Sequence, residues 1–286
     1  MTEEAAKSIE RYIKNMPSLP TSISKVLEVG NDPDASPVDL NQIISLDPVL
    51  MGRVLKLINS AYYGLEHRVT SLVKAITMLG INTIKNLVLS TAVMQNMQLK
   101  KNSPGLDVEG FWRHSLCVGV AAKQLAKKRK IDPKLWEEYF TAGLLHDLGK
   151  IPLNVVKPEE CMLAAGAAAN NRKPLFWEEG QAMGINHCEA GALIVKAWQL
   201  EGPVGDAVIY HHNSDEYSGA HKDLLYSIIA ANFFACSAGL GFSGDRFPRP
   251  VEQRIWRFLQ VPGDVFDPIK MTVHSEIEKA AVFLNI

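Results

Sequence analysis

Side chains able to hold a metal cation gather in the second half of the chain. From Thr141 to Pro152 the sequence places His146 and Asp147 side by side at the end of an apolar segment. An imidazole next to a carboxylate can share one metal ion or bridge two, although an isolated His-Asp pair is ordinarily explained as capping a helix end. His114, His187, His211 and His212 add four more imidazoles, so five of the eight histidines lie between residues 114 and 212. Burying five imidazoles with a carboxylate is costly unless they share a partner, and a cation is the natural one; scattered surface histidines are the competing reading. The donor set is borderline-soft. It points to a divalent transition metal, Fe first, with Zn, Mn, Co or Ni as alternatives to it, rather than Mg or Ca. One or two ions are expected, with Asp147 as the single residue of the set able to bridge.

Helices must position these groups. Phe140, Gly143, Leu144 and Asp147 recur at helical spacing, which predicts a helix over Trp136–Asp147, ended by the backbone freedom of Gly149. Val108–Lys128 carries Phe111, His114, Val118, Ala121 and Leu125 on one face, pointing His114 inward. His187 lies early in a helix over Asn186–Leu200, and His211-His212 close a short helix from Pro203. Asp223–Gly239 presents Leu225, Ile228, Ile229 and Asn232 together. An alanine-rich helix is predicted over Pro158–Asn170, and two amphipathic helices over 251–260 and 264–285.

The first hundred residues read as short helices. Ser36-Pro37 and Asp47-Pro48 each set a capping side chain before a proline at the first helical position, and Ser71 and Asn82 are further candidate caps. Stripes of Val49, Leu50, Val54, Leu57 and Ile58, then of Ile84, Leu87, Val88 and Thr91, bracket a helix at Leu72–Leu79 that Gly80 stops. His67 stands alone in a polar loop and reads as a surface residue. Lys100 to Gly105 is polar and turn-forming, so the expected division is a helical subdomain over 1–105 and a second over 106–286. The fold class is all-α, an N-terminal helical bundle packed on a second helical domain.

The 286 residues are 47% hydrophobic and 21% charged, with a net charge of −1. That is enough apolar material for a real core, and it removes any global electrostatic case for nucleic acid or an anionic membrane. Lys127 to Lys130 form a dense basic run, but they close a helix, where cations complement the dipole. Cys117, Cys161, Cys188 and Cys236 are widely spaced and nothing at the start resembles a secretory signal, so free thiols and a cytoplasmic location are expected. Leu224 to Gly244 has the length of a membrane span, but its polar residues and glycines suit a buried helix better.

The order His114, His146-Asp147 resembles the HD superfamily, in which a histidine, a His-Asp pair and a later aspartate surround one or two metals. Gly149-Lys150, His187 and His211-His212 look closer to its HD-GYP branch, where such positions hold metals for hydrolysis of cyclic di-GMP. The first half is similar to the HDOD domain. Leu19-Pro20 precedes a helix, Ser45-Leu46-Asp47-Pro48-Val49-Leu50 runs into Lys56 to Gly64, and Ser71, Ala75, Ile76, Leu79 and Gly80 follow at that family's spacing. The resemblance covers residues 12 to 240 or so. It implies a bacterial signalling module related to HD phosphohydrolases, in which catalytic residues are usually lost. Two departures from the hydrolases stand out. Asn232 occupies the place of the final aspartate, and Asn213 to Gly219 lacks a Gly-Tyr-Pro signature.

Three functions are compatible with these residues. The first is a noncatalytic regulatory module with a retained metal site, working through a signalling protein partner. Because each imidazole must be neutral to bind, its occupancy would fall as pH drops through about 6. The alternative is a metal-dependent phosphohydrolase acting on a phosphate-containing small molecule such as a nucleotide or cyclic dinucleotide. There Asp147 would bridge ions and Lys150 would stabilise a phosphate oxygen, unless Lys150 is simply a cation at a helix end. The third is an interaction scaffold with vestigial histidines. No nucleic-acid or membrane partner is expected.

Overall fold

The computed structural model describes residues 3–16, 19–97 and 105–285. The expected linker, apart from Gly105, lies outside the described residues. In the first half, α1 spans Glu3–Asn15, α2 Thr21–Asn31, α3 Pro37–Ser45, α4 Pro48–Ile58, α5 Leu72–Leu79 and α6 Ile81–Asn96. In the second half, α7 spans Val108–Lys128, α8 Trp136–Leu145, α9 Lys150–Val156, α10 Pro158–Asn171, α11 Leu175–Met183, α12 His187–Trp198 and α13 Pro203–Tyr210. The chain continues through α14 (Lys222–Ala238), α15 (Gln253–Leu259) and α16 (Lys270–Ala280). The fold is all-α, with no strand among the described residues.

Local chemistry explains most helix starts. The Ser36 hydroxyl accepts from the Asp39 backbone N–H, and the Asp39 carboxylate accepts from the Ser36 N–H, a reciprocal box with Pro37 at the first position. Asp47 accepts from the Leu50 N–H at 3.0 Å and also from the Ser22 hydroxyl, tying α4 to α2. Two expectations fail here. Asn82 caps nothing: it lies inside α6, and its amide donates to the Lys134 carbonyl at 2.9 Å, joining the halves. Val49 leaves the apolar stripe of α4, being 59% exposed, while Leu50 beside it is 4% exposed and packs inward.

α2 packs on α3 and α6, and α6 lies against α8, so one apolar core runs through both halves. α1 crosses to the second half and rests on α9 and α12. α7 and α8 form the central pair. They cross so closely that a Cβ on Gly143 would come within 2.6 Å of the Gly119 Cα and backbone nitrogen. Only two glycines allow that approach, and it sets His114 on one helix beside His146 at the end of the other.

α8 ends earlier than its apolar pattern predicts. His146 caps it, and Asp147 to Gly149 form a turn into α9. Gly149 is in the right-handed region at φ −64°, so backbone freedom is not why glycine is there. The reason is space. An added Cβ would lie 1.8 Å from the His187 carbonyl and 2.6 Å from the Gly191 nitrogen, so the turn is pressed against the first turns of α12.

Charged groups also cross the core. The Lys123 ammonium donates to the Tyr62 hydroxyl at 2.9 Å and pairs with Glu137, and Phe140 and Phe283 enclose the Tyr62 ring. Arg129 makes a two-pronged pair with Asp223 at 2.6 and 2.8 Å and donates to the Leu259 carbonyl, binding α7 to α14 and α15. Among the described residues no single helix is long and apolar enough to cross a membrane. The Leu224 segment forms α14, buried against α7.

Two stability outcomes follow. Lys123→Ala leaves Glu137 buried without its counter-charge and is expected to cost about 3–5 kcal/mol in denaturant melts, well beyond a surface Lys→Ala such as Lys270→Ala. Gly149→Ala forces the turn away from α12 and is expected to cost about 1–3 kcal/mol, whereas Gly166→Ala, with open space around its Cα, should be neutral or mildly stabilising.

Candidate metal centre

His114 projects from the middle of α7, His146 and Asp147 from the α8–α9 turn, His187 from the first position of α12 and His211 from the end of α13. All five are at most 3% exposed. Hydrogen bonds to one ring nitrogen aim the other. His146 Nδ1 donates to the Gly143 carbonyl at 2.7 Å and His211 Nδ1 to the Ala207 carbonyl at 2.8 Å. The Asn186 side chain caps α12, and Glu179 from α11 accepts from both the His187 backbone N–H (2.9 Å) and its Nδ1 (2.6 Å). These partners assign the protons to Nδ1 and leave each Nε2 lone pair facing inward.

The Nε2 atoms converge on one carboxylate. His187 and His211 approach Asp147 Oδ1 at 3.4 and 3.6 Å, and His146 and His114 approach Oδ2 at 3.4 and 3.9 Å. His187 Nε2 and His211 Nε2 are 3.2 Å apart. His146 Nε2 and Asp147 Oδ1 are buried with no hydrogen-bond partner, and orphaned acceptors of this kind call for a cation. Two groups hold ligand atoms within 4.8 Å of one another: His114, His146 and Asp147, and His187, Cys188 and His211. Together they could hold one ion or two.

His212, expected in this set, belongs to neither group. Its ring stacks flat on Phe176 at 4.5 Å, 6° from parallel. Lys150 donates to Asp147 Oδ2 at 2.7 Å and to the Ser243 hydroxyl at 3.1 Å. Asn232 of α14 does face the site, its Oδ1 3.0 Å from His114 Nε2. Two contributors were absent from the sequence reading. Glu179 sits on α11, a helix the apolar pattern did not reveal. Cys188 is a free thiol, as expected, and its Sγ lies 3.8 and 3.9 Å from the two nitrogens of His211; its place beside His187 is the available signal.

Electrostatics divide the cluster into two sides. Burial pushes the His114 imidazole down to about 4 and His146 well below its ordinary value, so both are neutral donors of lone pairs. Burial also opposes charge on His187, but the Glu179 carboxylate outweighs it and raises His187 to about 10. His211, against the same burial, rises to about 9 beside Cys188 and Asp147. With 3.2 Å between the two Nε2 atoms, both rings cannot carry a proton there, so this side attracts a single positive charge, proton or metal. Burial works against the Asp147 carboxylate, yet the positive charge around it, with the Lys150 ammonium 2.7 Å away, holds its pKa well below the usual range.

The HDOD domain family model matches residues 16–214, well over half of the chain. A protein of Treponema pallidum (strain Nichols), itself uncharacterized, is 27% identical over 81% of this chain; the match covers 44% of the relative, so the chain spans less than half of its length. Among solved structures, an HDOD domain protein of unknown function from Geobacter sulfurreducens superposes with a TM-score of 0.73 at 20% identity, covering 97% of this chain and 98% of the other. A protein of Shewanella amazonensis SB2B, provisionally named a metal-dependent phosphohydrolase, gives 0.61 at 23% identity over 97% and 99%. One from Marinobacter aquaeolei VT8, provisionally named a signal transduction protein, gives 0.76 at 19% identity over 99% and 66%. At these identities the structures establish a shared fold. The family model covers well over half of the chain and the all-α fold agrees with it, so the chain belongs to the HDOD domain family.

Proposed function

We propose that this chain is a regulatory signalling module whose second half holds a transition-metal cation without turning over a substrate. The observation that supports this reading is an inward-facing donor set, at most 3% exposed, touched by a narrow cleft. The cleft touching it, lined by His211, His212, Asn232 and Arg249 among others, has a volume of about 30 Å³, against about 300–1,000 Å³ for ordinary ligand pockets. That is room for a water molecule, not for a nucleotide. Asn232 in place of a carboxylate and the Lys150 ammonium on Asp147 Oδ2 also weaken a second cation position.

A cation here would join α7, the α8–α9 turn, α12 and α13, whose ligating side chains otherwise meet across polar gaps. Its free energy of binding would then be free energy of packing for the second half, which makes occupancy a signal that the rest of the chain can report. A protein partner in signalling is part of this reading, and the name given to the Marinobacter structure is in keeping with it.

The phosphohydrolase reading has one observation in its favour. Lys150, buried and charged beside Asp147, could meet a phosphate oxygen if the segment carrying Ser243 moved aside, and a bound cation would supply Lewis-acid chemistry. The name of the Shewanella structure agrees with that alternative.

Elemental analysis of gently purified protein should find about one transition-metal ion per chain. Chelation should lower the melting temperature, and His146→Ala should abolish both the metal and that shift; metal-free protein with an unchanged melting curve would leave only an interaction scaffold. Incubation with cyclic dinucleotides, nucleotides and generic phosphodiesters, with Mn, Fe or Co added, should give no turnover. Hydrolysis that disappears in Asp147→Ala would instead establish the enzyme.

A further inference from the structure

Cys188 follows His187 in the first turn of α12 and is 2% exposed. A buried cysteine is ordinarily a small apolar group, and Cys117 and Cys161 behave so, the first packed within α7 and the second beside the Met183 sulfur at 3.7 Å. Cys188 differs in its surroundings. Its Sγ is 3.9 Å from His211 Nε2, and it forms one ligand group with His187 and His211. Asp147 Oδ1, 1% exposed and without any hydrogen-bond partner, is directed at the same two imidazoles, 3.4 and 3.6 Å away.

Bonds of about 2.0–2.1 Å to nitrogen or oxygen place such neighbours about 3.3 Å apart in a tetrahedral site. The 3.2 Å between the imidazoles and the 3.4 and 3.6 Å from them to Asp147 Oδ1 are close to that. Cys188 Sγ, 3.8 Å from Nδ1 and 3.9 Å from Nε2 of His211, lies beside the ring and has to turn about its Cα–Cβ bond to meet an ion on the Nε2 lone pair. The Nδ1 atoms of His187 and His211 are already committed to Glu179 and to the Ala207 carbonyl, so both rings can offer Nε2 without turning. The opposite side is less well prepared, because the Lys150 ammonium holds Oδ2 and His114 Nε2 faces the Asn232 oxygen.

We infer that Cys188 is a thiolate ligand, completing a tetrahedral site with His187, His211 and Asp147 Oδ1 for a Zn(II)-type ion. The inference rests on the metal-holding reading above and adds to it the side on which the ion sits and the class of ion it selects. On binding, the Cys188 S–H bond breaks, its proton leaves to solvent and an Sγ–metal bond forms. One thiolate with two imidazoles and a carboxylate favours Zn(II) or Co(II) over the harder Mn(II) or Mg(II).

Chelator-treated full-length protein titrated with Co(II) should develop the visible bands of tetrahedral cobalt together with a thiolate-to-cobalt charge-transfer band in the near ultraviolet. Cys188→Ser should lose the charge-transfer band and bind Co(II) about tenfold or more weakly, while Cys117→Ser, Cys161→Ser and Cys236→Ser keep it. X-ray absorption on the Zn(II)-loaded wild type gives a check that needs no variant, with a sulfur scatterer expected at about 2.3 Å. Visible cobalt bands without charge transfer, or a zinc shell of nitrogen and oxygen alone, would overturn the thiolate ligand and leave the metal-holding module standing. Failure to bind either ion would overturn both.

Discussion

Placing the Asp147 carboxylate in the interior is the demand around which the second half is built. A buried ionised carboxylate must be met by positive charge or by donors; the Lys150 ammonium meets Oδ2 at 2.7 Å, and four imidazoles crowd the rest of it while Oδ1 is left without a hydrogen-bond partner. Each surrounding group is in turn fixed by something behind it. Backbone carbonyls hold His146 and His211, Glu179 holds His187, and Ser243 takes the second bond of Lys150. The cluster is therefore oriented before any ligand arrives, and ordering it costs a ligand little.

The first half contributes through packing rather than through chemistry. α6 lies against α8, and the Asn82 amide, the Tyr62 hydroxyl and the Lys123–Glu137 pair cross between the halves. α1, from the far end of the sequence, rests on α9 and α12, the two helices that the Gly149 contact presses together. A change in how α12 sits is thus felt by the N-terminal helix through direct contact.

Periodicity revealed most of the helices, since their apolar faces are buried in one core: Val108–Lys128 and Leu72–Leu79 coincide with the observed elements. The convergence of His114, His146, Asp147, His187 and His211 was legible for a similar reason, because each sits on a buried face or at a helix end. What escaped depended on tertiary contact. α11 is nine residues between Pro174 and Gly184, too short for a clear stripe, and so Glu179 went unseen. The value of Gly149 lies in the backbone of α12, nearly forty positions away, which no local pattern encodes. His212 shows the limit of composition: its ring lies 4.3 Å from that of His211 and 5.0 Å from that of His187, yet it stacks on Phe176 and joins neither ligand group.

The Gly119–Gly143 crossing has a mechanical consequence. With two backbones in direct contact and no side chains between them, α7 and α8 have nothing compressible to absorb sliding, so the spacing between His114 and the α8 end behaves as a fixed jaw. His187 is seated in the same way, its carbonyl against the Gly149 backbone, so the width of the cluster is gripped by main-chain contact on both sides.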